Sequence, residues 1–229
     1  MKTFETKVKK IVQETSDSYS FIFDIPEGFE WKAGQHTAWT FPEFDLDKKE
    51  QRRIFTIASA PADGFLMFTT RIREEKSPYK EALLNDVKPG SPVIVNQALG
   101  KYSFHDTKKK SLCVAGGIGI TPIRALVKDL YDNNDPSHEI KVIYSDESGE
   151  FCYSDFWKEA QEKLENLTVE FIKDTKVCTD TVKKYAEENG DEAEYLIAGS
   201  PGMNKAYEGM LQEWGISKDS IVLDVFMGY

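Results

Sequence analysis

Two short stretches of the 229-residue chain combine residue types at a spacing that could do chemistry. The first is Gly116-Gly117-Ile118-Gly119-Ile120-Thr121-Pro122, which follows the apolar run Leu112–Ala115 and leads into a segment of helical periodicity, 122–131. Glycines let a backbone turn sharply and approach a pyrophosphate with no Cβ in the way. Thr121 is expected to cap the helix and Pro122 to sit in its first turn, where a missing N–H costs little. The positive end of that helix would favour a phosphate. Two later strand ends would face the same ligand. At Tyr144-Ser145-Asp146-Glu147, where an adenosine ribose is expected, Asp146 suits a 2′-hydroxyl and repels a 2′-phosphate. That favours NADH over NADPH, although nearby lysines could reach the site. Ala198-Gly199-Ser200-Pro201-Gly202-Met203 is a second small-residue turn into a helix. Taken singly, either end also reads as an ordinary loop.

The second stretch is Gln51-Arg52-Arg53-Ile54-Phe55-Thr56-Ile57-Ala58-Ser59. On a strand, Arg53 and Phe55 share one face, while Thr56 points to the other unless the strand bends. An arginine suits a phosphate or flavin oxygen. An aromatic ring suits stacking on isoalloxazine, and a hydroxyl could reach the flavin N5. A core strand that ends in polar residues would look the same, so spacing alone does not identify a flavin.

These residues need elements to position them, and the two halves of the chain supply different ones. Up to about Asp106, short β-type segments (4–11, 20–24, 37–41, 54–58, 65–71 and 92–96) alternate with turn residues such as Pro26, Gly28, Pro61, Gly64, Pro89 and Gly90. The pattern predicts a small antiparallel barrel or sandwich. One helix is expected within it, 78–84, with Ser77 as N-cap and Pro78 at its first position. Beyond, strands 112–115, 140–145, 168–172, 195–198 and 221–225 alternate with helices 122–131, 156–166, 179–188 and 203–214. That order predicts a parallel sheet covered by helices. The lysines around 108 mark a linker, so the domains are expected at 1–106 and 107–229.

Composition narrows the function. With 40% hydrophobic residues and 12% aromatics, the chain can bury real cores. Its net charge of −10 opposes nucleic acid binding, because the basic clusters (Lys7 to Lys10, Lys48 to Arg53, Lys108 to Lys110) are short. The start of the chain lacks the apolar core of a signal peptide, and no run is long enough to span a bilayer, so a cytoplasmic protein is expected. Cys113, Cys152 and Cys178 are scattered, as are His36, His105 and His138, so no metal site is expected.

Taken together, the motifs resemble the ferredoxin–NADP reductase superfamily over essentially the whole chain. Arg53-x-Phe55-Thr56-x-x-Ser59 resembles its RxYSxxS flavin motif, Ala33-Gly34-Gln35 its PGQ segment, GGIGITP its nucleotide loop, and AGSPGM its CGPxxM-type turn. The terminal Phe226-Met227-Gly228-Tyr229 is similar to the aromatic tail of many small bacterial members. The resemblance implies a two-domain protein, with an antiparallel flavin barrel followed by an α/β nucleotide domain. It implies that Arg53, Phe55 and Thr56 hold the flavin, that Thr69, Thr70 and Arg71 follow its edge, and that Ser77 belongs to its phosphate loop. Gly117, Gly119, Thr121 and Pro122 would bind the dinucleotide, helped by Gly199, Pro201 and Met203. Phe226 and Tyr229 would cover the flavin, with Thr56 and Phe226 nearest the reacting atoms. FAD is expected ahead of FMN, with NADH or NADPH as hydride donor.

Three departures from the pattern stand out. Phe55 and Thr56 replace tyrosine and serine. Glu74-Glu75-Lys76 stands where glycines are common, which puts two carboxylates near an expected phosphate. Ala198 replaces the cysteine or serine beside the nicotinamide.

Hydride transfer between two cofactors needs no protein nucleophile. It needs the rings parallel with reacting atoms about 3–3.5 Å apart, and the cofactors carry the hard chemistry. The resemblance implies an NAD(P)H-dependent flavoprotein reductase that serves a separate acceptor: a ferredoxin, a flavodoxin, free flavin, a quinone or an iron chelate. A reductase that uses flavin as a substrate, and an electron-transfer subunit of a larger redox complex, are the alternatives.

Overall fold

The computed structural model describes residues 2–105, 107–133 and 137–224. They divide after Lys101 into two compact units.

The first unit holds β1 (Thr3–Gln13), β2 (Ser18–Phe23), β3 (His36–Thr40), β4 (Arg52–Thr56), β5 (Leu66–Arg71) and β6 (Pro92–Asn96). They form one antiparallel sheet in the order β4-β3-β6-β1-β2-β5. The expected β4 ran on to Ala58 but stops at Thr56, because the chain there changes partners. Ile57 N still donates to Gln35 O, beside β3, while Ala58 N donates across to Met67 O on β5 at 2.7 Å. That switch draws the two edge strands together and curls the sheet into a nearly closed barrel, which protects its edges. The interior is aromatic: Phe21 stacks on Phe68 at 4.9 Å, and Trp39 lies 4.8 Å from Phe23 and 4.9 Å from Phe68. Burying each such ring contributes about 1.5–3 kcal/mol. Helix α1 (Pro78–Asn85) starts as expected, with Ser77 Oγ accepting from Lys80 N and Pro78 in the first turn.

The second unit alternates β7 (Lys110–Gly116), α2 (Ile120–Asn133), β8 (Glu139–Ser145), α3 (Ser154–Lys163), β9 (Leu167–Ile172), α4 (Thr175–Asn189), β10 (Glu194–Ala198), α5 (Pro201–Glu213) and β11 (Ile221–Leu223). All strand pairs are parallel, in the order β11-β10-β7-β8-β9. The expected architecture of antiparallel barrel plus helix-covered parallel sheet is the one observed. Four helices start earlier than expected, α5 among them, at Pro201 rather than 203, because Ser200 caps it. α2 begins at Ile120, because a 3-10 turn over Gly117–Gly119 feeds it directly. Thr121 therefore lies inside the helix, where its hydroxyl donates to Ile118 O at 3.1 Å instead of capping. α4 starts four residues before the expected Thr179, since Asp174 accepts from Val177 N at 2.9 Å and caps it. α3 covers Ser154–Lys163 rather than 156–166, because Leu164 is already extended and leads into β9. The end of the last expected strand, Val225, lies outside the described residues.

Candidate cofactor sites

In the barrel, β4 turns Arg53 and Phe55 partly inward and leaves Arg52 and Ile54 exposed. Phe55 stacks on Phe68 at 4.7 Å and 14°. Arg53 is held by the backbone: its Nη1 donates to Arg52 O at 2.8 Å and Glu50 O at 3.1 Å. Its guanidinium lies 5.2 Å from the ring of Tyr79, a buried α1 residue whose hydroxyl donates to Trp39 O. Burial pushes the Tyr79 phenol far above its usual range, with Arg53 pulling the other way. It therefore stays a neutral platform for the arginine.

Other cations gather at the same end of α1. Lys80 is held below the ordinary lysine value, first by burial and then by Arg73, Arg71 and Arg53, while Asp17 opposes them. Arg71 Nε lies 3.3 Å from Asp17 Oδ1, and Arg73 Nε lies 4.0 Å from Asp17 Oδ2. Asp17 is the carboxylate that acts on Lys80 among these cations, Glu81 is the acid in the first turn of α1, and arginines beside a helix N-terminus suit a phosphate. Ser77 contributes the cap of that helix. Glu74 and Glu75 are exposed. Thr70 is buried, and Thr69 Oγ1 shares a hydrogen bond with Ser20 Oγ at 2.8 Å.

Among the described residues of the barrel, two buried hydroxyls have no hydrogen-bond partner, Thr56 Oγ1 and Ser59 Oγ. An unpaired buried hydroxyl costs roughly 1–3 kcal/mol, so a ligand bearing polar ring atoms there would relieve a standing penalty. Cations for a phosphate, an aromatic face and two waiting hydroxyls fit a flavin nucleotide. The sequence reading assigned Thr56 but gave Ser59 no role and missed Lys80. The serine stands in the motif itself, whereas no spacing rule connects Lys80 to residues 53 and 71.

In the parallel sheet, β7 has β8 on one side and β10 on the other, so strand order reverses beside it. Ligands of such sheets bind at the carboxyl ends of the strands at that switch point. Gly117 adopts φ +55°, a left-handed turn that glycine tolerates. A Cβ on Gly119 would lie 2.0 Å from Ala198 O, so the turns after β7 and β10 touch backbone to backbone. Added to Gly116 or Gly199, it would lie 2.2 or 2.4 Å from Met203 Sδ. Met203 stands in the first turn of α5, which Ser200 caps by accepting from Met203 N at 3.2 Å, with Pro201 at the first position. The structure thus brings Gly117, Gly119, Gly199, Pro201 and Met203 to adjoining turns at one edge of the sheet, with Thr121 and Pro122 buried in the opening turn of α2. Two helix N-termini follow these turns, and both favour an anion.

Asp146 follows β8 at the same edge, but its carboxylate shapes its own turn. Oδ1 accepts from Ser148 N at 3.0 Å and from Ser148 Oγ at 2.7 Å. A further acid at this edge went unassigned in the sequence reading. Asp224 follows β11, is buried, and has an unpartnered Oδ2; burial raises its pKa to about 7. Asn204 Nδ2 donates to its carbonyl at 2.7 Å, and Asn204 Oδ1 is also unpartnered. Phe226 and Tyr229 lie outside the described residues. Among those described, no group of three or more His, Cys, Asp or Glu could hold a metal ion, and no helix is long and apolar enough to cross a membrane.

Known proteins resemble this arrangement. Residues 113–209 match the family described as the oxidoreductase NAD-binding domain. One component of the Na(+)-translocating NADH-quinone reductase of Mannheimia succiniciproducens is 24% identical over 231 residues, covering 90% of this chain and 56% of that protein. The chain thus spans little more than half the length of that relative. Among solved structures, a ferredoxin reductase in carbazole 1,9a-dioxygenase superposes with a TM-score of 0.80 at 20% identity, over 99% of this chain and 70% of the other. The ferredoxin–NADP+ reductase of Plasmodium falciparum, as an H286L mutant with 2′P-AMP, gives 0.80 at 15% identity, over 98% and 96%.

Proposed function

We infer that this chain, a protein of ferredoxin reductase-type fold with an oxidoreductase NAD-binding domain, takes reducing equivalents from NAD(P)H into a bound flavin and delivers them to an acceptor. One observation carries the reading. A glycine turn at a sheet's switch point and a barrel with clustered cations and unpartnered hydroxyls occur in a single chain.

Residues 1–106 are assigned to the flavin and 107–229 to the dinucleotide. Arg53, Arg71 and Lys80 bind the diphosphate of FAD, which suits that many cations better than the single phosphate of FMN. Ser77 and α1 add their backbone donors. Phe55 offers its ring to the isoalloxazine, while Thr56 and Ser59 give it hydrogen bonds and fix its plane; Thr69 and Thr70 line its edge. When bound, the flavin supplies the redox chemistry, accepting hydride from reduced nicotinamide and passing electrons on. Gly117, Gly119, Thr121 and Pro122 form the pyrophosphate turn, and Gly199, Pro201 and Met203 hold the nicotinamide end. Phe226 and Tyr229 are assigned the cover over the flavin. Three cysteines, all buried and none in a disulfide, suit the reducing cytoplasm.

The acceptor is read as a ferredoxin, a flavodoxin or a small molecule. The similarity to a component of a quinone reductase over 90% of the chain favours a second reading, an electron-transfer subunit whose acceptor is a docked partner. The test is an absorbance spectrum of the purified protein before and after anaerobic NADH or NADPH. A flavin band near ~450 nm that bleaches is expected. Arg53→Ala should leave the protein folded and lower flavin occupancy. A colourless protein that binds neither added FAD nor FMN would overturn the reading.

A further inference from the structure

This inference rests on the reading that the second unit holds a nicotinamide dinucleotide, and it concerns which one. β8 and β9 run in register with Ser145 opposite Ile172, so residues 146 and 173 leave the sheet as neighbours at its carboxyl edge. Asp146 N donates to Ile172 O at 3.1 Å across that edge. On the other side of β8, Ser145 lies opposite Gly116, at the start of the glycine turn. The turn after β8 is therefore where such a sheet meets the adenosine ribose.

Two carboxylates in this turn would argue for a bare 2′-hydroxyl, but one oxygen of each is taken up by a hydrogen bond within the protein. Asp146 Oδ1 accepts from the backbone and the hydroxyl of Ser148, and Glu147 Oε1 accepts from Thr175 Oγ1 at 3.4 Å. The neighbouring Asp174 caps α4. A cation follows β9 at this edge, Lys173. Its side chain lies along Gly149, so close that a Cβ there would be 2.6 Å from Lys173 Cε and 2.8 Å from Nζ. Gly149 sits at φ +74°, so its position is doubly closed to a side chain, by backbone conformation and by the lysine. Lys173 makes no hydrogen bond or ion pair with any described residue.

We propose that Lys173 is the residue that sets discrimination between NADPH and NADH, its ammonium receiving the 2′-phosphate beside the turn 146–149. The two acids of the turn shape the loop, and the lysine supplies the charge that a phosphate needs. NADPH is then accepted at a strand end that looks, in sequence, built to refuse it.

Binding of 2′,5′-ADP and of 5′-AMP to the intact protein, followed by calorimetry, isolates this contact from hydride transfer. Wild type should bind 2′,5′-ADP more tightly than 5′-AMP. Lys173→Gln should weaken 2′,5′-ADP by about tenfold, the worth of one charge-assisted hydrogen bond, and leave 5′-AMP within about twofold. Lys173→Arg should restore 2′,5′-ADP binding. In turnover, the NADPH-to-NADH ratio of kcat/KM should fall in Lys173→Gln in step with the calorimetry. Equal losses for both ligands, an unchanged 2′,5′-ADP affinity, or a wild-type preference for 5′-AMP would each overturn the role of Lys173 while leaving dinucleotide binding intact. A wild type that binds neither ligand would instead overturn the dinucleotide reading itself.

Discussion

The barrel and the parallel sheet offer their ligands different materials. The sheet's proposed site is made of main chain: glycines at the ends of β7 and β10, two helix N-termini, and a proline in the opening turn of each helix. The barrel's proposed site is made of side chains: Arg53, Phe55, Thr56 and Ser59 from one stretch, Arg71 from β5 and Lys80 from α1. A main-chain site is complete before the ligand arrives, because its donors are fixed by the fold. A side-chain site carries a debt in unpaired hydroxyls, and the ligand's arrival cancels it.

That contrast can be broken or sharpened by substitution. The largest effect should come from Gly119→Ala, which sets a Cβ against the backbone of Ala198. Displacing main chain in a packed turn costs roughly 1–3 kcal/mol or more, so dinucleotide binding should collapse while flavin occupancy persists. Loss of both together, followed by absorbance and nucleotide titration, would mean that the two sites do not stand on separate materials. Thr56→Val should act more gently and in two directions. Removing an unpaired hydroxyl should raise the melting temperature of the flavin-free protein slightly, yet weaken flavin binding by about 1 kcal/mol. If both quantities fell, the hydroxyl would be serving the empty barrel.

Asp224 gives a test by pH. Its folded pKa is raised, to about 7, so its contribution to stability is complete below the ordinary carboxylate range. That contribution is lost as pH rises through about 7. Asp224→Asn should remove this part of the pH dependence, gaining on wild type as pH climbs from 4 to 8 in thermal melts (roughly the span between unfolded and folded pKa values). Parallel curves for the two proteins would show that Asp224 does not titrate in that window.

The two materials also differ in how plainly they show in sequence. Gly116 to Pro122 and Gly199 to Met203 announce themselves, because glycine and proline have few other reasons to cluster at a strand end. Architecture was equally visible, since the switch from short punctuated strands to strand–helix alternation is a matter of period. Finer placement was not. Thr121 is a good N-cap by type, but the left-handed Gly117 bends the chain early enough for α2 to start without it. Asp174 went unnoticed as the cap of α4 because Thr179 begins a better apolar pattern. In the barrel, Arg53 was found through its resemblance to a known motif, whereas Lys80 joins it by folding across 27 residues. Asp146 shows the converse: its residue type suggested a ribose, while its own turn takes up one oxygen of the carboxylate.

The glycines of the sheet edge divide into two kinds with different histories open to them. Gly116 and Gly199 are kept small by the sulfur of Met203, the far end of a flexible side chain. Alanine at either position becomes accessible once residue 203 is shortened, and the two changes should then be strongly non-additive. Gly119 is kept small by a carbonyl that every amino acid possesses. No exchange at the facing position can make room for it. In a drifting lineage, the first pair is negotiable in combination with its neighbour, while the third can change only if the course of the chain changes with it.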